Sequence, residues 1–235
     1  MFAGLICAVA AHEVFAMVTP GDPLMRLWGV LSTVCVFCVV GLTYDARLML
    51  TMTVILVCGG MTIAFVRTQD NEGASERMAW ALAGPLYVGS LFGITALLFR
   101  RPDGGSWVLL AMTFGFLSDT FGYFIGRAIG RRQLHPISPK KTVEGAVGGL
   151  AGGLTGGLLA HFYFLPALPL LDAILLSVVA TTAGQVGDLC ESLIKRATQT
   201  KDSGSFLPGH GGVLDRADAM IFSVAIVWIY VEWFF

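Results

Sequence analysis

Long apolar stretches separated by short polar ones run through the whole chain. Most are close to the roughly 20 residues that a helix needs to cross a bilayer, and lipid leaves backbone groups no partner outside such a helix. The pattern predicts an all-α, polytopic bundle of about eight membrane-spanning helices. The predicted spans are residues 1–18, 24–43, 48–66, 78–99, 106–125, 146–165, 168–187 and 217–235.

Composition supports this interpretation, since 55% of the 235 residues are hydrophobic, 13% are charged and the mean hydropathy is +0.75. Soluble domains carry roughly 25% charged residues, so this chain cannot coat a water-facing surface. We expect a single transmembrane domain over 1–235. Its N-terminal spans occupy 1–105, and residues 106–235 carry two long polar loops at 126–145 and 188–216.

The basic residues predict the orientation of the spans. Of the 15 Lys and Arg residues, only Arg47, Arg100 and Arg101 fall on one predicted face. The opposite face, which holds both long loops, is therefore cytoplasmic by the positive-inside rule, and both termini lie outside.

Glycines recur along the sixth predicted span at Gly145, Gly149, Gly153 and Gly157. Small residues at this spacing allow another helix to approach closely. The partner helix belongs either to this chain or to a second copy, so a homodimer is left open.

Charged residues concentrate in the stretch 188–218. If the seventh helix continues past its predicted end, Asp188, Ser192 and Lys195 lie on one face, and Glu191 joins them at i+3. A carboxylate, a hydroxyl and an ammonium group then point to one spot near the membrane surface.

A glycine-rich loop follows, and its Gly211 and Gly212 allow backbone amides to approach an anion closely. Asp215 and Asp218 come next, where the last helix should begin. Carboxylates are the ligands that Mg²⁺ prefers beside phosphates, and basic side chains neutralise phosphates. Helix capping is the alternative for the two aspartates, and a solvated face is the alternative for the bases.

Two further segments fall on the same predicted face. Asp119 lies near the end of the fifth span, where an ionisable residue is a functional candidate by default. The segment from Ser138 to Thr142 offers hydroxyls and ammonium groups to a triphosphate, although it lacks the glycine spacing of a Walker A motif.

The spaced residues from Ser192 through Lys195, Lys201, Gly211 and Asp215 to Asp218 resemble the signature of phosphatidate cytidylyltransferases, also called CDP-diacylglycerol synthases. Segments 118–120 and 138–145 also resemble that family, in the expected order. Because family members usually open with one more span, we expect this chain to correspond to a form that starts one helix later.

The resemblance implies a nucleotidyltransferase of phospholipid biosynthesis that converts CTP and phosphatidate to CDP-diacylglycerol and pyrophosphate. It implies Mg²⁺ as cofactor, with a second cation left open, a bilayer environment and no nucleic acid partner. We expect a bacterial inner membrane protein whose active site faces the cytoplasm.

The predicted site residues fall into three groups. The catalytic group is Asp188, Lys195, Arg196, Lys201, Asp202, His210, Asp215 and Arg216. The substrate-binding group is Asp119, Ser138, Lys140, Lys141, Thr142, Ser192, Gly211 and Gly212. The metal ligands are Asp188, Asp215 and Asp218.

Two alternatives to this function remain from the sequence. A lipid transporter or flippase would need matched interruptions in two repeated halves, and no internal repeat is evident. A related cytidylyltransferase or a lipid kinase acting on another lipid is closer in chemistry. Release of pyrophosphate from CTP would distinguish a cytidylyltransferase from a transporter.

Overall fold

The structure is a computed structural model that describes residues 2–43, 45–67, 73–204 and 211–235. Nine α-helices run through these described residues. They are α1 (Phe2–Val18), α2 (Pro23–Leu42), α3 (Ala46–Arg67), α4 (Ala74–Pro85), α5 (Leu91–Phe99), α6 (Gly104–Ile129), α7 (Val143–Leu159), α8 (Leu170–Ala197) and α9 (Leu214–Trp233).

Two short π-helical segments interrupt this pattern, at Leu86–Ser90 and Ala160–Phe164. The first joins α4 to α5 and directly follows Pro85, which lacks the N–H for a regular helical bond. The second extends α7. Both therefore lengthen a membrane-spanning helix rather than end it.

Six helical stretches in the described residues are long and apolar enough to cross a membrane. The all-α membrane fold is confirmed, and the protein is an integral membrane protein. The helix α1 is shorter and α9 is outside this set, so the count of about eight spans stays a prediction. The six stretches are Pro23–Leu42, Ala46–Arg67, Ala74–Phe99, Gly104–Ile129, Val143–Phe164 and Leu170–Ala197.

The two predicted polar loops are more ordered than the sequence analysis expected. The helix α8 continues to Ala197, so the predicted loop 188–216 begins as helix. Within 126–145, α6 runs to Ile129 and an antiparallel hairpin follows, with strands β1 (Gln133–His135) and β2 (Ser138–Thr142). Helix and hairpin thus occupy parts of both predicted loops, because polar side chains here fill helix faces and a hairpin that hydropathy alone does not distinguish from loop.

The chain divides into two compact units, Met1–Leu97 with Ala197–Asp215, and Leu98–Arg196 with Arg216–Phe235. The core of the first unit centres on Phe15 of α1, which is fully buried. A Cβ at Gly84 of α4 would lie 2.6 Å from the Phe15 ring, and Gly29 of α2 contacts the same ring. Glycines thus let three helices close around one aromatic side chain.

In the second unit, α7 presents two rows of glycines to two different helices. Gly149 contacts Gln185 of α8, and Gly153 contacts Thr181 of the same helix. Gly152, on the other row, contacts the backbone of Leu117 in α6. The close approach that the glycine spacing predicted is therefore made within the chain, and the ladder gives no support to a homodimer.

We expect Gly152→Ala to destabilise the protein by about 1–3 kcal/mol, because the added Cβ would meet the Leu117 carbonyl, and backbone cannot swing aside. The matched control is Gly115→Ala in α6, whose Cβ would find Met220 at 3.9 Å, an ordinary contact. That control should be neutral or slightly stabilising, since alanine favours a helix over glycine. Thermal unfolding of both variants in detergent tests the difference, and equal stabilities would contradict it.

Candidate functional site

A cavity of about 430 Å³ opens in the second unit. Its wall brings together three segments that are far apart in sequence: α6, β2 and α8. Five of the predicted substrate-binding residues and one predicted metal ligand line it, so the structure brings these residues together, while their roles stay predictions. These residues are Asp119, Ser138, Lys140, Lys141, Thr142 and Asp188.

The hairpin that carries the two lysines is fixed at its base. Thr142 pairs with Gln133 across the hairpin, and its hydroxyl accepts a hydrogen bond of 3.0 Å from the Gly145 amide as the N-cap of α7. Glu144 accepts hydrogen bonds from the amides of Arg131 and Arg132, at 3.0 and 3.2 Å. These contacts give hydrogen-bond acceptors to backbone amides that would otherwise lack them at a helix start and in a turn, and they hold β2 in place.

Glycines of α6 let this base approach the helix. A Cβ at Gly126 would lie 3.0 Å from the Thr142 hydroxyl, and one at Gly122 would lie 3.2 Å from the Gly145 carbonyl. The glycines therefore set how close β2 comes to Asp119 on the same helix.

Lys141 forms an ion pair with Asp188 in this cavity. The two side chains are 33% and 22% exposed, so the pair is partly removed from water. Loss of water lowers the pKa of the Lys141 ammonium, and the carboxylates of Asp119 and Asp218 act against that shift. Lys141 thus faces several carboxylates as their counter-ion.

Asp188, Glu191 and Asp218 form an acidic cluster, in which one carboxylate oxygen of each lies within 4.8 Å of the others. Glu191 is fully buried; its Oε2 accepts a hydrogen bond of 2.8 Å from Lys195, while its Oε1 has no hydrogen-bond partner among the described residues. A buried, unpartnered carboxylate oxygen beside two other carboxylates suits a hard cation such as Mg²⁺.

Asp215 belongs to the first unit and has a different environment. Its Oδ2 accepts hydrogen bonds from the Ser203 amide at 2.9 Å, the Ser203 hydroxyl at 2.9 Å and the Gly212 amide at 2.8 Å. Gly211 has φ +80°, a left-handed conformation that glycine adopts without strain. Asp215 thus anchors a loop, and its predicted role as a metal ligand stays a prediction.

The other predicted residues are distributed over both units. Ser192, Lys195 and Arg196 lie on the last turns of α8, and Arg216 lies exposed in the first turn of α9. Lys201 and Asp202 are exposed in the first unit. His210 lies outside the described residues. The catalytic and binding roles of this group stay predictions.

Several cavity residues were missed by the sequence analysis. Tyr123 and Arg127 follow Asp119 on α6 at i+4 and i+8, and the Tyr123 hydroxyl accepts a hydrogen bond of 2.8 Å from Arg127. Gln185 of α8 donates to the Ser118 hydroxyl and the Ala146 carbonyl, at 3.2 and 3.0 Å. Helical spacing from Asp119 would have found the first two. Gln185 precedes Asp188 by three residues on the same face.

Glu191 is the member of the acidic cluster that the predicted set of metal ligands does not include. Its position at i+3 from Asp188 follows from the sequence, but the burial of its side chain and the surroundings of its Oε1 do not follow from spacing. A carboxylate in an apolar chain near two others is the signal that could have found it.

Comparison with known proteins identifies relatives that share one name. The phosphatidate cytidylyltransferase of Staphylococcus haemolyticus is 39% identical over 166 residues, which cover 70% of this chain and 63% of that protein. The protein of the same name from Brucella melitensis is 39% identical over 185 residues, covering 76% of this chain and 65% of the relative. The chain thus spans less than two thirds of the length of either relative.

A model of the cytidylyltransferase family matches residues 1–234. The match includes the cavity, the acidic cluster and the loop anchored by Asp215. Because it covers nearly the whole sequence, the resemblance seen in the motifs is confirmed, and the chain belongs to the cytidylyltransferase family.

Proposed function

We propose that this chain transfers the cytidylyl group of CTP to phosphatidate, giving CDP-diacylglycerol and pyrophosphate. The observation that carries the proposal is the cavity in which the lysines of β2 face Asp119 and Asp188, beside the acidic cluster. Such an arrangement suits a substrate that is itself polyanionic and bound to a cation. The names of the relatives support the choice of CTP and phosphatidate.

The reaction requires little from a general base. A phosphate monoester is largely ionised near neutral pH, so its oxygen attacks the α-phosphorus of CTP directly. One P–O bond forms there, the bond between the α-phosphorus and the bridging oxygen breaks, and pyrophosphate leaves with that electron pair. The obstacle is the repulsion between two polyanions, so we expect catalysis to rest on positioning and charge neutralisation.

The residues of the second unit are suited to these two tasks. Lys140 and Lys141 would neutralise triphosphate oxygens, and Ser138 would donate a hydrogen bond to them. Asp188, Glu191 and Asp218 would hold Mg²⁺, which when bound supplies positive charge to the triphosphate and the leaving pyrophosphate. Lys195, beside Glu191, would meet phosphate at the edge of this cluster.

We propose the bacterial inner membrane as the location and the cytoplasm as the side on which the site opens. The excess of basic residues on one predicted face supports this orientation. A soluble nucleotide would then reach the site from the compartment that contains it, while the lipid arrives from the bilayer.

The test is turnover of purified protein in detergent with labelled CTP, Mg²⁺ and phosphatidate. We expect pyrophosphate and labelled lipid in equal amounts, dependent on both substrates. Labelled lipid formed only with a different lipid phosphate would favour a related cytidylyltransferase. Absence of pyrophosphate with every lipid phosphate would contradict the proposal and favour a transporter.

A further inference from the structure

Glu13 of α1 is a buried acidic residue that the proposed chemistry does not use. It is 5% exposed, in a helix whose side chains are mostly apolar apart from its neighbour His12. Its carboxylate accepts hydrogen bonds from the Ser203 hydroxyl at 3.2 Å and from the amides of Val213 and Leu214 at 2.9 Å each. All these residues belong to the first unit.

Val213 and Leu214 stand at the start of α9, where helical amides lack a partner within the helix. A carboxylate at such a position gains from charge-assisted hydrogen bonds and from the helix dipole. Glu13 therefore acts as the N-terminal cap of α9, although 200 residues separate it from Val213. Burial makes this contact costly to lose, since the amides would have no water to replace it.

The backbone of the loop closes directly on this carboxylate. A Cβ added at Gly204 would lie 2.6 Å from Glu13 Oε1, and one at Gly212 would lie 2.6 Å from Glu13 Oε2. A side chain at either position would therefore push the Glu13 carboxylate out of its present place. The two glycines thus serve to let the loop backbone reach Glu13.

Ser203 connects Glu13 to Asp215. Its hydroxyl lies 3.2 Å from a Glu13 oxygen and 2.9 Å from an Asp215 oxygen, and its own amide donates to Asp215. Because a serine hydroxyl carries one proton, it donates to one carboxylate at a time. The two carboxylates tie Ser203 to residues 212–214, which closes the base of the loop between them.

We propose that Glu13 is a positioning residue for CTP binding, acting through Ser203 and the backbone of residues 212–214. This inference rests on the proposed function and on the prediction from the sequence that Lys201 is catalytic and that Gly211 and Gly212 bind substrate. Glu13 contributes no group to the substrate itself. It fixes Ser203 and the start of α9 at Val213 and Leu214.

The decisive variant is Glu13→Gln, which keeps the shape and turns one acceptor oxygen into a donor. We expect the KM for CTP to rise about 10- to 100-fold, because a small misplacement of the groups that bind CTP has an effect of about this size. A lower active fraction reduces the apparent kcat but cannot raise KM, so this readout separates positioning from general instability. Unchanged KM with a lower kcat would overturn the proposal.

Hydrogen exchange of the substrate-free protein supplies a second measurement. Amides of residues 203–215 should exchange faster in Glu13→Gln, with other segments unchanged. The matched control is Glu232→Gln, which removes the carboxylate that pairs with Arg101 near the other end of α9. It should leave both KM and exchange at 203–215 unchanged. Equal exchange of this segment in wild type and Glu13→Gln would also overturn the proposal.

Ser203→Ala covers the case in which Glu13→Gln does not fold. It removes the shared hydroxyl and should raise the KM for CTP in the same way. Where both variants fold, the KM of the double variant for CTP should lie within about threefold of that of the more severe single variant, because both substitutions act through one network. Additive effects would contradict that network. Lack of turnover in the wild type would contradict the proposed function alone, and exchange then decides whether Glu13 anchors the loop.

Discussion

Asp188→Asn is expected to lower CTP-dependent turnover by at least about 100-fold. Loss of even a residue that only hydrogen-bonds to a metal ligand lowers metal affinity or activity by about 10- to 100-fold. The substitution removes one charge from the acidic cluster with Glu191 and Asp218. An amide oxygen is a weaker ligand than a carboxylate for a hard cation. The variant should also bind Mn²⁺ more weakly than the wild type in a titration followed by electron paramagnetic resonance.

The matched control lies on the same helix. Asp172→Asn is isosteric too, and the Tyr230 hydroxyl, which donates to Asp172 at 2.6 Å, can still donate to the amide oxygen. We expect wild-type turnover and Mn²⁺ affinity in this control. If Asp188→Asn also kept wild-type Mn²⁺ affinity, the assignment of the metal to this cluster would be wrong. The same titration on Asp215→Asn tests whether Asp215 binds the metal or only anchors its loop.

Much of the fold could be predicted because lipid restricts the choice of structure. Apolar stretches of spanning length have to be helical, so most helix positions followed from hydropathy within a few residues, although α8 runs to Ala197, well past its predicted end at residue 187. The glycines at i+4 spacing predicted a close helix contact, which α7 makes with α8 and α6. The hairpin at 133–142 was missed because its strands are short and their exposed polar residues give no alternation of apolar side chains.

Part of the candidate site could be predicted for a related reason. An ionisable residue is costly near lipid, so Asp119, Asp188 and Asp218 stood out in an apolar chain. Their approach to Lys141 followed from the shared predicted face. The contact of Glu13 with Val213 and Leu214 could not be predicted, because it depends on how helices from the two ends of the chain meet in the first unit.

The acidic cluster already contains cations of its own. Lys141 pairs with Asp188, and Lys195 pairs with Glu191 at 2.8 Å. Partly buried carboxylates require such partners when no metal is bound. We therefore expect a divalent cation that enters this cluster to displace the Lys141 ammonium group from Asp188. The displaced lysine is then available to a phosphate, so cation binding and nucleotide binding should assist each other.

Lys141→Met is therefore expected to have opposite effects on two measurements. Methionine keeps the length of the side chain but removes the charge that competes for Asp188. In the absence of nucleotide, we expect Mn²⁺ affinity to rise about tenfold, which corresponds to about 1.4 kcal/mol. Turnover of CTP should fall by at least about 100-fold, since a group that neutralises the triphosphate is lost in a reaction that depends on charge.

The control for the cation measurement is Lys140→Met, the neighbouring residue on the same strand. It also lines the cavity, and the ion pair with Asp188 belongs to Lys141. Lys140→Met should therefore leave Mn²⁺ affinity unchanged. If the two lysines acted only through a general positive field, Mn²⁺ affinity would rise equally in both variants. That result would contradict direct competition between Lys141 and the metal. If the metal replaces Lys141 as the partner of Asp188, Mn²⁺ affinity should rise only in Lys141→Met, and this variant should also lose turnover.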